Sequence, residues 1–328
     1  MTAPGPENSE RDAALDATLA RGLDRKVLDA DALGRIRETC RAEFDALYRT
    51  GRSRALTLPR IAFAASILLA VFIGALAIQP ATRGPVVASV VRIDNGTLET
   101  RSRRLFGRAL DVGASIRIGD TVESRGAAVI QLDRGGTLRV APGTRFTVSG
   151  TNGLELQTGR AYFDFPLGVH GFVVRSALGT VEHVGTQFEV ALVSDGMRVR
   201  VREGAVRVRS ASGTDLADAG TEILVASADP TVVRGTVPTY GPDWAWVDAL
   251  APEFEIENRP LADFLSWVAR ETGRRIEFAD ERARAVALRT RLHGSVDGLE
   301  PMQALDRVLS TTSLRCELQG GTIRVSSR

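Results

Sequence analysis

The sequence predicts a multi-domain chain. Its parts are a helical cytoplasmic segment, one transmembrane helix, an antiparallel all-β domain of sandwich or jelly-roll-like form, and a small α+β unit of order βαββαββ. Three observations predict this. Eighteen consecutive residues, Ile61 to Ile78, carry no charge. Beyond them the apolar period changes from 3.6 to 2. After about residue 246 helical stripes return, interleaved with short strands. The expected boundaries are residues 1–60, 61–79, 86–228, a linker at 229–245, and 246–328.

In the first segment, Met1 to Glu10 is rich in Pro, Gly, Ser and Asn and too polar to build a core. Leu33, Ile36, Cys40, Phe44 and Leu47 then recur at spacings of three and four, with Asp29 or Asp31 available as an N-cap. Ala13 to Val27 offers a companion helix with Leu15, Leu19 and Leu23 on one face. Two such helices make a poor independent core. Leu33, Ile36, Phe44 and Leu47 are therefore the candidate partner-binding stripe. The other reading is a helical hairpin that pairs with itself.

As a helix, Ile61 to Ile78 would cover about 27 Å, close to the roughly 30 Å of a bilayer's hydrocarbon core. Arg41, Arg49, Arg52, Arg54 and Arg60 precede this run, against Arg83 and Arg92 after it. That bias places the N-terminus in the cytoplasm and the later domains across the membrane.

Val86 to Ile93, Ala114 to Ile118, Ala127 to Leu132 and Thr137 to Val140 are short β-type runs between Gly, Asp and Pro. In Met197 to Ser210, Val199, Val201, Val206 and Val208 alternate with arginines around Gly204. That pattern reads as a hairpin with one buried and one wet face. Ser227 to Asp243, with three prolines, reads as a linker. Trp244 and Trp246 follow it as plugs for a domain seam.

In the last unit, Phe254 to Ile256 is expected as a strand. A helix behind Pro260 carries Leu261, Phe264, Leu265 and Val268 and stops at Gly273. Strands are expected at Arg275 to Phe278 and Val286 to His293, a helix from Pro301 to Leu309, and strands at Leu314 to Leu318 and Thr322 to Val325.

Several of these segments resemble the FecR family of single-pass inner-membrane signalling proteins. They are Leu110 to Leu132 with its Gly-Asp pair, Gly159-Arg160-Ala161-Tyr162-Phe163, Val184-Gly185-Thr186-Gln187-Phe188-Glu189-Val190, and Glu203-Gly204-Ala205-Val206-Arg207-Val208. At Asp133-Arg134-Gly135-Gly136-Thr137, where many members have Asp-Gly-Ser, this chain has room for a longer turn. The last unit resembles the STN type found at the start of secretins and TonB-dependent receptors. It does so through Phe254-Glu255-Ile256, Pro260-Leu261, His293-Gly294-Ser295 and Ala304-Leu305-x-x-Val308-Leu309.

The resemblance implies an anti-sigma or sigma-regulating transducer. Its partners would be a cytoplasmic ECF-type sigma factor and an envelope protein such as a TonB-dependent receptor, and its last unit would be a docking module. The competing reading is an envelope scaffold without sigma-factor control. The residues themselves supply no phosphate loop, nucleophile elbow or metal-ligand spacing, so no enzyme, cofactor, metal, nucleic acid or small-molecule substrate is expected. Glu182 and His183 are adjacent on a strand and point to opposite faces. Some family members cleave themselves between Gly and Thr, which makes Gly185-Thr186 the one bond with candidate chemistry. The other reading of Gly185 is a glycine needed for tight strand packing.

Overall fold

The computed structural model describes residues 35, 37–39, 42–43, 84–101, 107–185, 187–228 and 231–328. Alternation of β-branched and polar residues from Val86 to Thr236 produces seventeen strands in two layers. The first layer runs in the order 115–117, 86–94, 127–132, 137–140, 159–164, 187–193, 196–203, 221–226, 232–236. The second runs 108–110, 98–101, 121–124, 145–150, 153–158, 173–176, 179–183, 205–210, 213–218. Their facing side chains, among them Ile130, Phe146, Phe163, Phe188, Val201 and Val208, form one continuous core.

One strand, Gly153–Asp164, belongs to both layers. Thr158 pairs with Arg145 in the second layer, while Gly159 already pairs with Leu192 in the first. Gly159 is the pivot, with φ 82° and its backbone against Thr144, where an added Cβ would stand 2.5 Å from the Thr144 Cα. A side chain there would clash, and φ in that region already disfavours one.

The same switching corrects the expected hairpin at Gly204. Gly196–Glu203 pairs in the first layer and Ala205–Ser210 in the second, so the two do not pair with each other. Gly204, φ 75°, carries the chain across the sandwich. The alternation holds, since Val199, Val201, Val206 and Val208 are all buried, but they meet from opposite layers. The arginine face is not uniformly wet either: Arg202 is buried beneath the C-terminal segment, whereas Arg209 is exposed.

After Thr236 a short helical turn leads into α1 (Ala245–Asp248), then α2 (Leu261–Thr272), strand Arg275–Phe278, α3 (Glu281–Arg289), α4 (Pro301–Ser310) and strands Leu314–Gln319 and Thr322–Ser327. The apolar stripe of α2, Leu261, Phe264, Leu265 and Val268, packs with Ala304, Leu305 and Val325 in a second core. Gly273, at φ 62°, ends α2 in a left-handed C-cap.

The expected fold class is corrected. Described residues from Val86 onward are predominantly strand, and among the described residues no helix is long and apolar enough to cross a membrane. The expected span, 61–79, lies outside the described residues, as does most of 1–60. The β domain is not wholly antiparallel, because Val173–Arg175 runs parallel to Gly153–Glu155.

The last unit is not βαββαββ. Val286 to His293, expected as a strand, is helix as far as Arg289: the Asp280 side chain accepts from the Ala283 amide at 2.7 Å, and Ala283 and Ala287 form the buried face of α3. A run rich in Ala, Leu and Arg with a good N-cap favours helix over the chance alternation of Val286 and Leu288. Phe254 to Ile256 pairs with no strand; the neighbouring chain makes one bridge, Pro260 to Arg291. Within the stretch expected as a linker, Val232–Thr236 is an edge strand of the first layer. Pro80–Arg328 makes one compact unit.

Candidate functional site

The outer face of the first layer carries a row of polar side chains fixed by strand register. Arg139 stands opposite Tyr162, Tyr162 opposite Glu189, Glu189 opposite Arg200, and Arg200 opposite Glu222. Their immediate neighbours along each strand, Leu138, Phe163 and Val201 among them, point the other way into the core, as the period of two demands. A second row, Asp164, Gln187 and Glu203, lies beside the first.

The C-terminal segment covers these rows. Trp244 is fully buried edge-on against Tyr162, with ring centroids 6.0 Å apart, and its Nε1 donates to the Pro238 carbonyl at 2.7 Å. Trp246 Nε1 donates to Glu189 Oε2 at 2.8 Å, and the Arg160 guanidinium sits over the Trp246 ring, 4.6 Å from its centre. Both tryptophans therefore plug the seam.

The charges in the seam are desolvated and paired. Arg139, 0% exposed, donates Nη1 to the Val247 carbonyl at 2.8 Å and Nη2 to Glu271 Oε2 at 2.5 Å. Burial opposes the Arg139 charge, but Glu271 and Asp164 outweigh it and hold its pKa above the ordinary range. Glu271 lies in the last turn of α2, where the helix dipole disfavours an acid, so Arg139 is what makes its position tenable. Burial still pushes the Glu271 pKa up against that pairing. Arg202 donates Nε to the Thr239 carbonyl and Nη2 to Asp248 Oδ1, each at 2.8 Å. Arg270 of α2 bonds Asp164 and reaches Glu203 Oε2 at 3.3 Å.

The seam opens beside Gly185. Gln187 Nε2 donates to Asp164 Oδ2 at 3.2 Å, so Arg270, Asp164 and Gln187 form a chain leading to the Gly185 turn. Here two crossings between the layers lie back to back. The chain passes from second to first layer after His183, and from first to second at Gly204. A Cβ on Gly185 would lie 2.1 Å from the Ala205 nitrogen and 2.4 Å from the Gly204 Cα, and the Gly185 amide donates to the Ala205 carbonyl at 2.6 Å. Close packing thus gives Gly185 a structural requirement of its own.

Of the residues singled out from the sequence, Thr186, Leu33, Ile36, Phe44 and Leu47 lie outside the described residues. Glu182 and His183 point to opposite faces: Glu182 is held by Arg207 and Arg209 at 2.9 and 3.0 Å, while His183 is buried against Phe165. Among the described residues no cluster of three or more potential metal ligands occurs. Sequence reasoning missed Arg139, Arg202, Asp248, Arg270 and Glu271. One signal was available, an acid in the last turn of a helix, but it does not name its partner.

Fold and seam together define a two-layer β domain carrying a docked α+β module. Residues 120–207 match the family described as "FecR protein", a stretch that holds the Gly159 pivot and the Gly185 and Gly204 crossings. Two crystal structures of a candidate anti-sigma factor from Parabacteroides distasonis ATCC 8503 are similar. They have 18% and 17% identity, cover 63% of this chain and 96% and 97% of theirs, and give TM-scores of 0.32 and 0.33. No curated protein matches the chain.

Proposed function

We propose that the protein regulates an ECF-type sigma factor, with residues 80–328 as the receiving end and residues 1–60 as the output. The observation that supports this is the FecR match over residues 120–207. On this reading the signal comes from an envelope protein such as a TonB-dependent receptor, and the α+β module, similar in its motifs to STN domains, is the docking surface. The arginine bias before residue 61 supports an inner-membrane location with the N-terminus in the cytoplasm.

Leu33, Ile36, Phe44 and Leu47 form the face that meets the sigma factor. The test is co-purification of the full chain with the sigma factors of its cell. Wild type should retain one of them and Phe44→Ala should release it, since an aromatic side chain at an interface centre is commonly worth about 2 kcal/mol or more. A wild-type chain that retains none leaves the scaffold reading in its place.

Gly185-Thr186 is the proposed cleavage point. The Thr186 hydroxyl oxygen attacks the Gly185 carbonyl carbon, and the amide nitrogen leaves as the free amine of Thr186. The resulting ester is then hydrolysed to a Gly185 carboxylate and a free threonine hydroxyl. Denaturing gels should show two fragments from wild type and one chain from Thr186→Val; a wild type that stays whole removes this step.

A further inference from the structure

At one end of the sandwich a cavity of about 310 Å³ opens between the Asp133–Gly136 turn and the loop 165–172, next to the seam, where Arg270 donates to the Phe165 carbonyl at 3.1 Å. Its apolar wall is made by Leu132, Phe165 and Phe172, and its polar side chains are Arg134, Thr151, Asn152 and His170. Among the described residues that line it, none is a carboxylate. The Arg134 guanidinium is bonded to Asn152 Oδ1, which fixes it at the cavity while leaving other N–H groups to donate.

Behind the cavity lies a second space of about 20 Å³, which shares Leu132, Thr151 and Phe172 with it and runs between the layers along Ile116, Ile130 and Leu154. Leu167 in the bordering loop is 86% exposed, an unusual position for a large apolar side chain. A cationic, donor-rich rim, an apolar wall and a dry extension into the core together fit a ligand with a charged head and a hydrocarbon body.

We propose that this cavity binds an amphipathic organic anion, a carboxylate on a short alkyl or aryl body. A planar carboxylate matches the Arg134 fork, with the Asn152 amide as a further donor. The body lies on Leu132, Phe165 and Phe172 with its end toward the inner space. At about 30 Å³ per water-sized group, the cavity holds about ten non-hydrogen atoms, the size of octanoate. The site is independent of the sigma-factor role, and it departs from the expectation of a chain with no small-molecule chemistry.

The test is titration of the full chain with octanoate and with 4-phenylbutanoate, followed by calorimetry. Saturable one-to-one binding of at least one acid is expected, with its neutral amide at least tenfold weaker. Arg134→Gln should weaken the acid at least tenfold and leave the amide unchanged. Val169→Trp, which fills the cavity, should abolish both. Thermal melts verify that the variants fold, and if Val169→Trp does not, Arg134→Gln decides alone. No saturable binding of either acid overturns the proposal, as does equal binding of acid and amide or an acid affinity unmoved by Arg134→Gln.

Discussion

Arg139 and Glu271 join the β domain to the α+β module through a pair buried on both sides, which makes their removal separable into distinct costs. Glu271→Leu leaves the Arg139 guanidinium with the Val247 carbonyl, the Tyr162 ring 5.3 Å from it and a distant Asp164, 3.9 Å away, and no carboxylate in direct contact. Arginine cannot shed its proton, so the expected loss is about 3–5 kcal/mol. Arg139→Met leaves a buried carboxylate that can escape by taking a proton. From an ordinary pKa of about 4.5, protonation at pH 7 costs about 1.36 × 2.5, so the loss is capped near 3 kcal/mol. The double variant buries no unpaired charge and should fall within about 2 kcal/mol of wild type, giving a coupling of at least about 3 kcal/mol. Urea unfolding of the full chain, followed by tryptophan fluorescence from the buried Trp244, measures all four states. Singles that each cost under about 1 kcal/mol, or a double variant that loses the sum of both, would refute the reading of the pair as a desolvated latch.

Val206→Asp places a charge between the layers at a site 1% exposed and should cost several kcal/mol, whereas Arg207→Asp loses only its half-exposed pair with Glu182 and should cost about 1 kcal/mol; equal urea midpoints would mean the wrong face is buried. Gly185→Ala forces the crossings apart and should cost about 1–3 kcal/mol, read as a melting point lower by roughly 5 °C; an unchanged melting point would show that the two chains do not touch. His183, 2% exposed and with neither ring nitrogen hydrogen-bonded among the described residues, has its pKa lowered to about 4 by burial and by His170. The unfolded chain takes that proton near pH 6.5 and the folded chain does not. Stability is thus full above pH 6.5 and falls by about 3 kcal/mol as pH drops toward 4. His183→Phe should remove most of that acid-side loss in melts at pH 7 and pH 4, and an identical loss in the variant would place the titration elsewhere.

Local signals in the sequence were dependable where one segment decides its own structure. Thr137–Val140, Arg275–Phe278 and the α2 stripe ending at Gly273 fall where propensity and capping put them. What escaped was pairing. Gly204 looks identical in sequence whether it turns a hairpin or crosses a sandwich, because the alternation around it is the same in both. Residues Val286 to Leu292 alternate well enough for a strand, and only the Asp280 cap and the Ala283–Ala287 face reveal the helix. The seam was illegible for a similar reason: Arg139 sits in an ordinary strand, and its partner Glu271 is 132 residues away.

The alternation of layers has a kinetic consequence. From Ala127 on, the hairpins switch back and forth between the layers: 127–140 in the first, 145–158 and 173–183 in the second, 187–203 in the first, 205–218 in the second. Neither layer is contiguous in the chain, so neither can assemble before the other has supplied the crossings between its strands. Non-local pairing of this kind delays the return of loop-closure entropy, and β topologies dominated by it fold in milliseconds to seconds. The unit should therefore refold slowly and in one cooperative step. A chain cut between Gly126 and Ser212 would leave two fragments, each holding unpaired strands from both layers and neither holding the complete core of the β domain.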